Sequence, residues 1–220
     1  PIHGVGGECT MRRGRPAFNR DSKREACVAE FLDSHLYPRY FLKSERVLDR
    51  ERQLTGIDVI CIHPEIDGEM LIDEKAATSW AHREIETFAF ELSFLLYEKE
   101  LEGWFLDMDK EKKSKTTHWL CVWPRTAGEQ IQSVSDIVTA EAILIESQML
   151  RRWARRMAAR DSISLDSVME SLRGDSDKDE IQWAGLRVLI SRGLPEKPIN
   201  LLIPKDILRS LAGDMNWILP

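Results

Sequence analysis

Cysteine is scarce and scattered: Cys9, Cys27, Cys61 and Cys121 lie far apart, without a CxxC pair or zinc-ligand spacing. They read as reduced thiols of a cytoplasmic protein. No apolar run is long enough to cross a bilayer, and no signal-peptide layout opens the chain. A membrane partner is therefore not expected. Internal repeats are absent as well. Basic residues show no overall excess, because the net charge is −6. That excludes broad coating of nucleic acid and confines any such contact to local patches. Pro1 to Thr10 contain no initiator methionine, and with Met11 next they are expected to include upstream sequence.

What is present fits an ordinary globular protein. The 220 residues are 43% hydrophobic and 31% charged, enough for one core and an appendage. Two apolar runs stand out because each carries acids: Gly56-Ile57-Asp58-Val59-Ile60 and Leu71-Ile72-Asp73-Glu74-Lys75. Asp67-Gly68 between them is a strong turn signal, so the segment reads as an antiparallel hairpin. If Pro64 to Asp67 form the loop, His63 faces Gly68 and Asp58 lies opposite Asp73, with Lys75 on the same face. A slip of one residue would send the aspartates to opposite faces. Both faces are otherwise apolar, as in a central strand covered on two sides.

Two adjacent carboxylates in such a place repel. Either one holds a proton or a cation sits between them. Hard oxygen ligands suit Mg²⁺ or Mn²⁺, and a neighbouring lysine can steady an attacking water or offset charge on a phosphate. An ordinary hairpin with salt bridges from Asp73 to Lys75, or from Asp58 to Arg52, is the competing reading.

Gly-Ile-Asp at 56 to 58, fourteen intervening residues and Asp-Glu-Lys at 73 to 75 resemble the core of the PD-(D/E)XK nuclease superfamily. Ile57 stands where that pattern has proline. The resemblance implies a restriction-endonuclease-like α/β fold: a mixed sheet flanked by helices, with Asp58 and Asp73 as metal ligands and Lys75 as the catalytic lysine. It also implies a glutamate on the preceding helix. Lys23 to Leu36 has helical periodicity ended by Pro38, and Glu25 falls on its apolar side whereas Glu30 points away. The auxiliary role therefore goes to Glu25, whose bland alternative is a solvated first-turn acid.

Beyond the lysine, the pattern predicts a helix from Thr78 or Ser79 to about Glu100, bordered at the site by Trp80, His82, Arg83 and Glu91. Strands are expected at 103–108 and 117–123. Residues 22–124 would then form the nuclease core, after a basic arm over 1–21. A mostly helical C-terminal subdomain over 125–220 would follow, with helices at 139–160, 165–172 and 179–192, an extended 199–203 and a last helix after Pro204.

Three basic patches are candidates for phosphate contact: Arg12, Arg13 and Arg15 in the arm; Lys110, Lys112, Lys113 and Lys115 between the last two core strands; and Arg151, Arg152, Arg155 and Arg156 around Trp153. Each also reads as a solvated face. The expectation is a Mg²⁺- or Mn²⁺-dependent phosphodiesterase, a DNA endonuclease, with a homodimer open. Its rivals are a non-catalytic nucleic-acid- or protein-binding module on the same scaffold, or an assembly or regulatory protein of a phage or mobile element.

Overall fold

The computed structural model describes residues 15–53, 55–106 and 115–220. In chain order these form α1 (Arg15–His35), α2 (Tyr37–Tyr40), β1 (Lys43–Arg46), α3 (Arg50–Gln53), β2 (Val59–Ile62), β3 (Met70–Ala76), β4 (Thr87–Leu96), β5 (Lys99–Glu102), β6 (His118–Thr126) and β7 (Ile137–Glu146). There follow α4 (Ser147–Ala158), α5 (Leu165–Gly174), β8 (Glu180–Trp183), β9 (Leu186–Ile190), β10 (Ile199–Pro204), α6 (Lys205–Ala212) and β11 (Asn216–Leu219).

The fold is mixed α/β with two sheets. One has the order β1-β2-β3-β6-β7-β11, with β3 and β6 parallel and the other neighbours antiparallel. The second, β5-β4-β10-β9-β8, is antiparallel throughout. Alternation along the central strands divides the core in two. Val59, Cys61, Met70, Ile72, Leu120 and Val122 pack against Val28, Phe31, Leu32 and Leu36 of α1 and its C-terminal end. Trp119, Cys121, Trp123, Ile143 and Ile145 face the second sheet through Phe88, Phe90, Val188 and Leu201, with Leu150 of α4, Leu172 of α5 and Leu208 of α6 closing the margins. No helix among the described residues is long and apolar enough to cross a membrane.

The hairpin pairs Val59 with Ile72, Ile60 with Leu71 and Cys61 with Met70, the register expected from the Asp67-Gly68 turn. Gly68 has φ +90°, a conformation that suits glycine. α1 is helical as predicted but starts at Arg15, inside the expected arm.

Several expectations are overturned. The helix from Thr78 to Glu100 is a short 3₁₀ turn at Thr78–Trp80 followed by β4 and β5. Phe88, Phe90 and Leu92 are buried while Ala89 is exposed, so the two apolar sides read as helical are strand alternation. At 103–106 the chain turns, and residues 107–108 lie outside the described residues.

The helical C-terminal subdomain is not found: residues 125–220 supply five strands and three helices, and their strands complete both sheets. The expected helix over 139–160 is β7 followed by α4, because the run to Ile145 is held between β6 and β11. The expected helix over 179–192 is the β8–β9 hairpin. Ala184 and Gly185 there have φ +50° and +78°, the two left-handed positions of a tight hairpin turn.

Candidate active site

The site begins with the turn that launches β2. Gly56, at φ +77°, reverses the chain ahead of Ile57 and Asp58. Asp58 sits just outside β2 and is held on both sides: its N–H donates to Ile72 O and its carbonyl accepts from Val47 N, each at 2.8 Å. Its Oδ2 accepts the backbone N–H of Glu74 at 2.8 Å. The Asp58 carboxylate is thereby tied to β3, where Asp73 and Lys75 project from one face. Lys75 Nζ lies 2.7 Å from Asp73 Oδ1.

Asp58 lies near enough for its carboxylate to act on the charge of Asp73. Asp73 is only 6% exposed, and burial pushes its pKa up to about 7. The Lys75 charge opposes that rise and the Asp58 carboxylate reinforces it. Burial also works against the Lys75 ammonium, but the negative charges of Asp73, Asp58 and Glu25 outweigh it and raise its pKa. The lysine is therefore a fixed cation.

A cleft of about 900 Å³ opens over this group. Its walls include Glu25 of α1, Asp58, Asp73, Lys75, Trp80 and Trp104, together with Ala89, Arg187, Ser191 and Asn200 of the second sheet. The Trp104 ring lies 5.2 Å from Lys75 Nζ. Gly103 makes that position accessible, because a Cβ there would collide with the backbone carbonyl of Glu91. Arg151 then fastens the turn, donating to Phe105 O at 3.0 Å and Trp104 O at 3.2 Å, with its guanidinium 4.8 Å from the Trp119 ring.

Glu74 points the other way into a polar network. Its Oε1 accepts from Tyr37 Oη at 2.5 Å, and its carboxylate pairs with Arg46 at 2.9 Å. Arg46 also pairs with Asp33 at 2.6 Å and donates to Ala29 O at 3.2 Å. Burial raises the Glu74 pKa against the opposing effect of Arg46. The network anchors α1 to the β3 segment whose backbone holds Asp58.

Asp58, Asp73, Lys75 and Glu25 thus come together. Among the border candidates, Trp80 lines the cleft with Arg83 stacked 4.1 Å from its ring. His82 is exposed and does not line the cleft, and Glu91 is part-buried on β4, also away from its lining. Of the basic patches, Arg12, Arg13, Lys110, Lys112 and Lys113 lie outside the described residues, and of Arg15 only the backbone is described. Lys115 is exposed. Arg151 is buried and engaged with carbonyls, so it is not a surface contact. Arg152 is exposed and pairs with Glu146 at 3.4 Å, while Arg155 and Arg156 are exposed on α4. Tyr37, Arg46 and Trp104 went unnoticed in the sequence. The legible signal was Glu74, an acid inside an apolar strand that required a cation nearby.

Protein-family models, curated proteins and solved structures yield no match to the chain. Among the described residues, no three His, Cys, Asp or Glu side chains form a ready-made metal-binding group. The Asp58–Asp73 pair itself fits a hard divalent cation: two carboxyl groups converge, one has its pKa raised to about 7, and a divalent charge would relieve their repulsion.

Proposed function

We propose that the chain is a metal-dependent nuclease that hydrolyses phosphodiester bonds, a cytoplasmic DNA endonuclease of the PD-(D/E)XK type. The observation that carries this reading is the convergence of Asp58, Asp73 and Lys75 at the base of an open cleft. The antiparallel succession β1-β2-β3 with β6 parallel to β3 also supports it. A departure is the segment between β3 and β6, which contributes β4 and β5 to the second sheet in place of the implied helix.

Asp58 and Asp73 would hold Mg²⁺ or Mn²⁺, with Glu25 supplying a further oxygen from α1. When bound, such a cation stabilises negative charge on a phosphoryl oxygen. Lys75 is kept protonated by its acidic neighbours, so it donates hydrogen bonds to water or phosphate and offsets charge that grows in the transition state. The Trp104 ring lies beside the lysine ammonium and adds a cation–π contact to its surroundings. The Glu74 N–H and the network behind it keep Asp58 aimed at Asp73.

The decisive experiment is a cleavage assay on supercoiled, linear, branched and single-stranded DNA and on RNA, with Mg²⁺ and with Mn²⁺, comparing the parent with Asp73→Asn. Metal-dependent cleavage lost in the variant supports the reading. Binding without cleavage on every substrate would instead establish the nucleic-acid-binding module.

A further inference from the structure

Beside the acidic cleft lies a small notch that shares Ala77, Trp80 and Ile85 with it. Three cations from separate elements reach this notch: Arg83 after the 3₁₀ turn, Arg125 on β6 and Lys205 at the start of α6. Lys205 is committed elsewhere, pairing with Glu141 at 2.9 Å and lying 4.8 Å from the Trp123 ring. Glu141 is also paired with Arg209 at 2.6 Å, so its charge is fully engaged. Arg83 and Arg125 make no ion pair with the described residues. The positive charge of the notch therefore comes from two guanidinium groups without a carboxylate partner among the described residues, one of them, Arg83, held over the Trp80 ring.

Its size limits what it can take. The enclosed space is about 10 Å³, roughly one water-sized group, too small to swallow a whole anion. One oxygen of a phosphate lying across the opening fits. Two planar guanidinium groups are suited to grip such a phosphate from the side. Trp80, 45% exposed, forms the wall common to notch and cleft.

We propose that Arg83 and Arg125 bind a backbone phosphate of a nucleic-acid strand whose scissile phosphate lies at Asp58 and Asp73, the strand passing over Trp80. This rests on the nuclease reading and adds to it a second phosphate contact, made by Arg83 and Arg125 away from the scissile phosphate. A nucleotide with a single phosphate could not occupy both places.

The test measures oligonucleotide binding to Asp73→Asn protein without divalent metal, over a range of salt, on single-stranded and duplex DNA. Removing both arginines (Arg83→Ala with Arg125→Ala) should weaken binding several-fold and flatten the plot of log affinity against log salt. The expected flattening for each phosphate no longer neutralised is about 0.7 on single strands or about 0.9 on duplex. The double lysine variant (Arg83→Lys with Arg125→Lys) should keep most of the slope, which separates loss of charge from misfolding. An unchanged affinity and slope in the alanine variant, in a parent that cleaves, would overturn the notch and leave the nuclease reading standing. Inorganic phosphate binding that is lost in the alanine variant while oligonucleotide binding is unchanged would overturn it too, by showing a small-anion site. If the parent binds no nucleic acid at all, both readings fall.

Discussion

Lys75 reaches back along its own strand to Asp73, 2.7 Å from Nζ to Oδ1, because residues two apart on a strand share a face. This geometry assigns the two groups different tasks. The lysine has a raised pKa and stays charged, so it cannot serve as a neutral base. Asp73, with a pKa pushed up to about 7, is the member of the pair that changes charge near neutrality.

That difference predicts opposite effects of pH on the metal-free and the metal-bound protein. The Asp73 pKa is raised from 3.8 to about 7, so between these values the folded state holds its proton more tightly than the unfolded chain. This group's stabilisation is complete below the unfolded value and is lost as pH rises through about 7. Its slope is at most about 1.4 kcal/mol per pH unit. A divalent cation must displace that proton, so the rise in melting temperature with millimolar Mg²⁺ should be larger at pH 8 than at pH 6. Asp73→Asn should remove both the pH slope and the metal gain. Equal gains at the two pH values would count against Asp73 as a ligand.

Arg46 should matter as much for stability as the site residues do for chemistry. Replacing it by Met strands Glu74, whose side chain is only 11% exposed, without its cation. The cost should be about 3 kcal/mol, the low end for breaking a buried pair, because Arg46 itself is 25% exposed. Adding Glu74→Gln should recover part of it, since no buried charge is then left alone. Urea denaturation of the two variants checks this, and a double variant no more stable than Arg46→Met would show that the acid is not the cause.

Neighbouring arginines on α4 should separate by role. Arg151→Ala should destabilise by about 2 kcal/mol, since two carbonyls lose a charged donor and a ring loses its stacked cation. Replacing Arg152 and Arg156 by Ala should leave the melting temperature nearly unchanged. If α4 tracks phosphates, that pair should also reduce the salt slope of duplex DNA binding by about 0.9 for each phosphate it neutralises. An unchanged slope would assign the outer face of α4 to solvent.

The register of the β2–β3 hairpin was legible because Asp67-Gly68 and strict alternation leave one pairing that keeps Ile72 and Val59 inside. The helical period of Val28, Phe31 and Leu32 fixed one side of α1, but Glu25 is exposed and meets the cleft from the edge of that side, while Arg24 is buried. β4 was not legible. Its aromatic residues satisfy a helical period nearly as well as a strand period, and what decides is pairing with β10 and β5, far away in sequence or beyond a tight turn. The same holds for β7, fixed by β6 and β11 on its two sides. Trp104 escaped notice because its position depends on the close approach of Gly103 to Glu91, a tertiary feature with no local pattern.

The sharpest test separates chemistry from binding at Lys75. Its ammonium sits among Asp73, Asp58 and Glu25 and is the cation positioned to answer charge that grows on a phosphate. Lys75→Ala leaves both aspartates in place, so cleavage should fall by orders of magnitude while DNA affinity stays within a few-fold. Asp58→Ala should also stop cleavage, but through loss of metal affinity, and DNA binding without metal should tighten as a negative charge leaves the cleft. The two variants therefore differ in the Mg²⁺-dependent melting shift: retained in Lys75→Ala, lost in Asp58→Ala. Single-turnover cleavage, filter binding and thermal melting on the same preparations distinguish them. A Lys75→Ala protein that cleaves at the parent rate would mean that the activity arises elsewhere and that these residue roles are wrong.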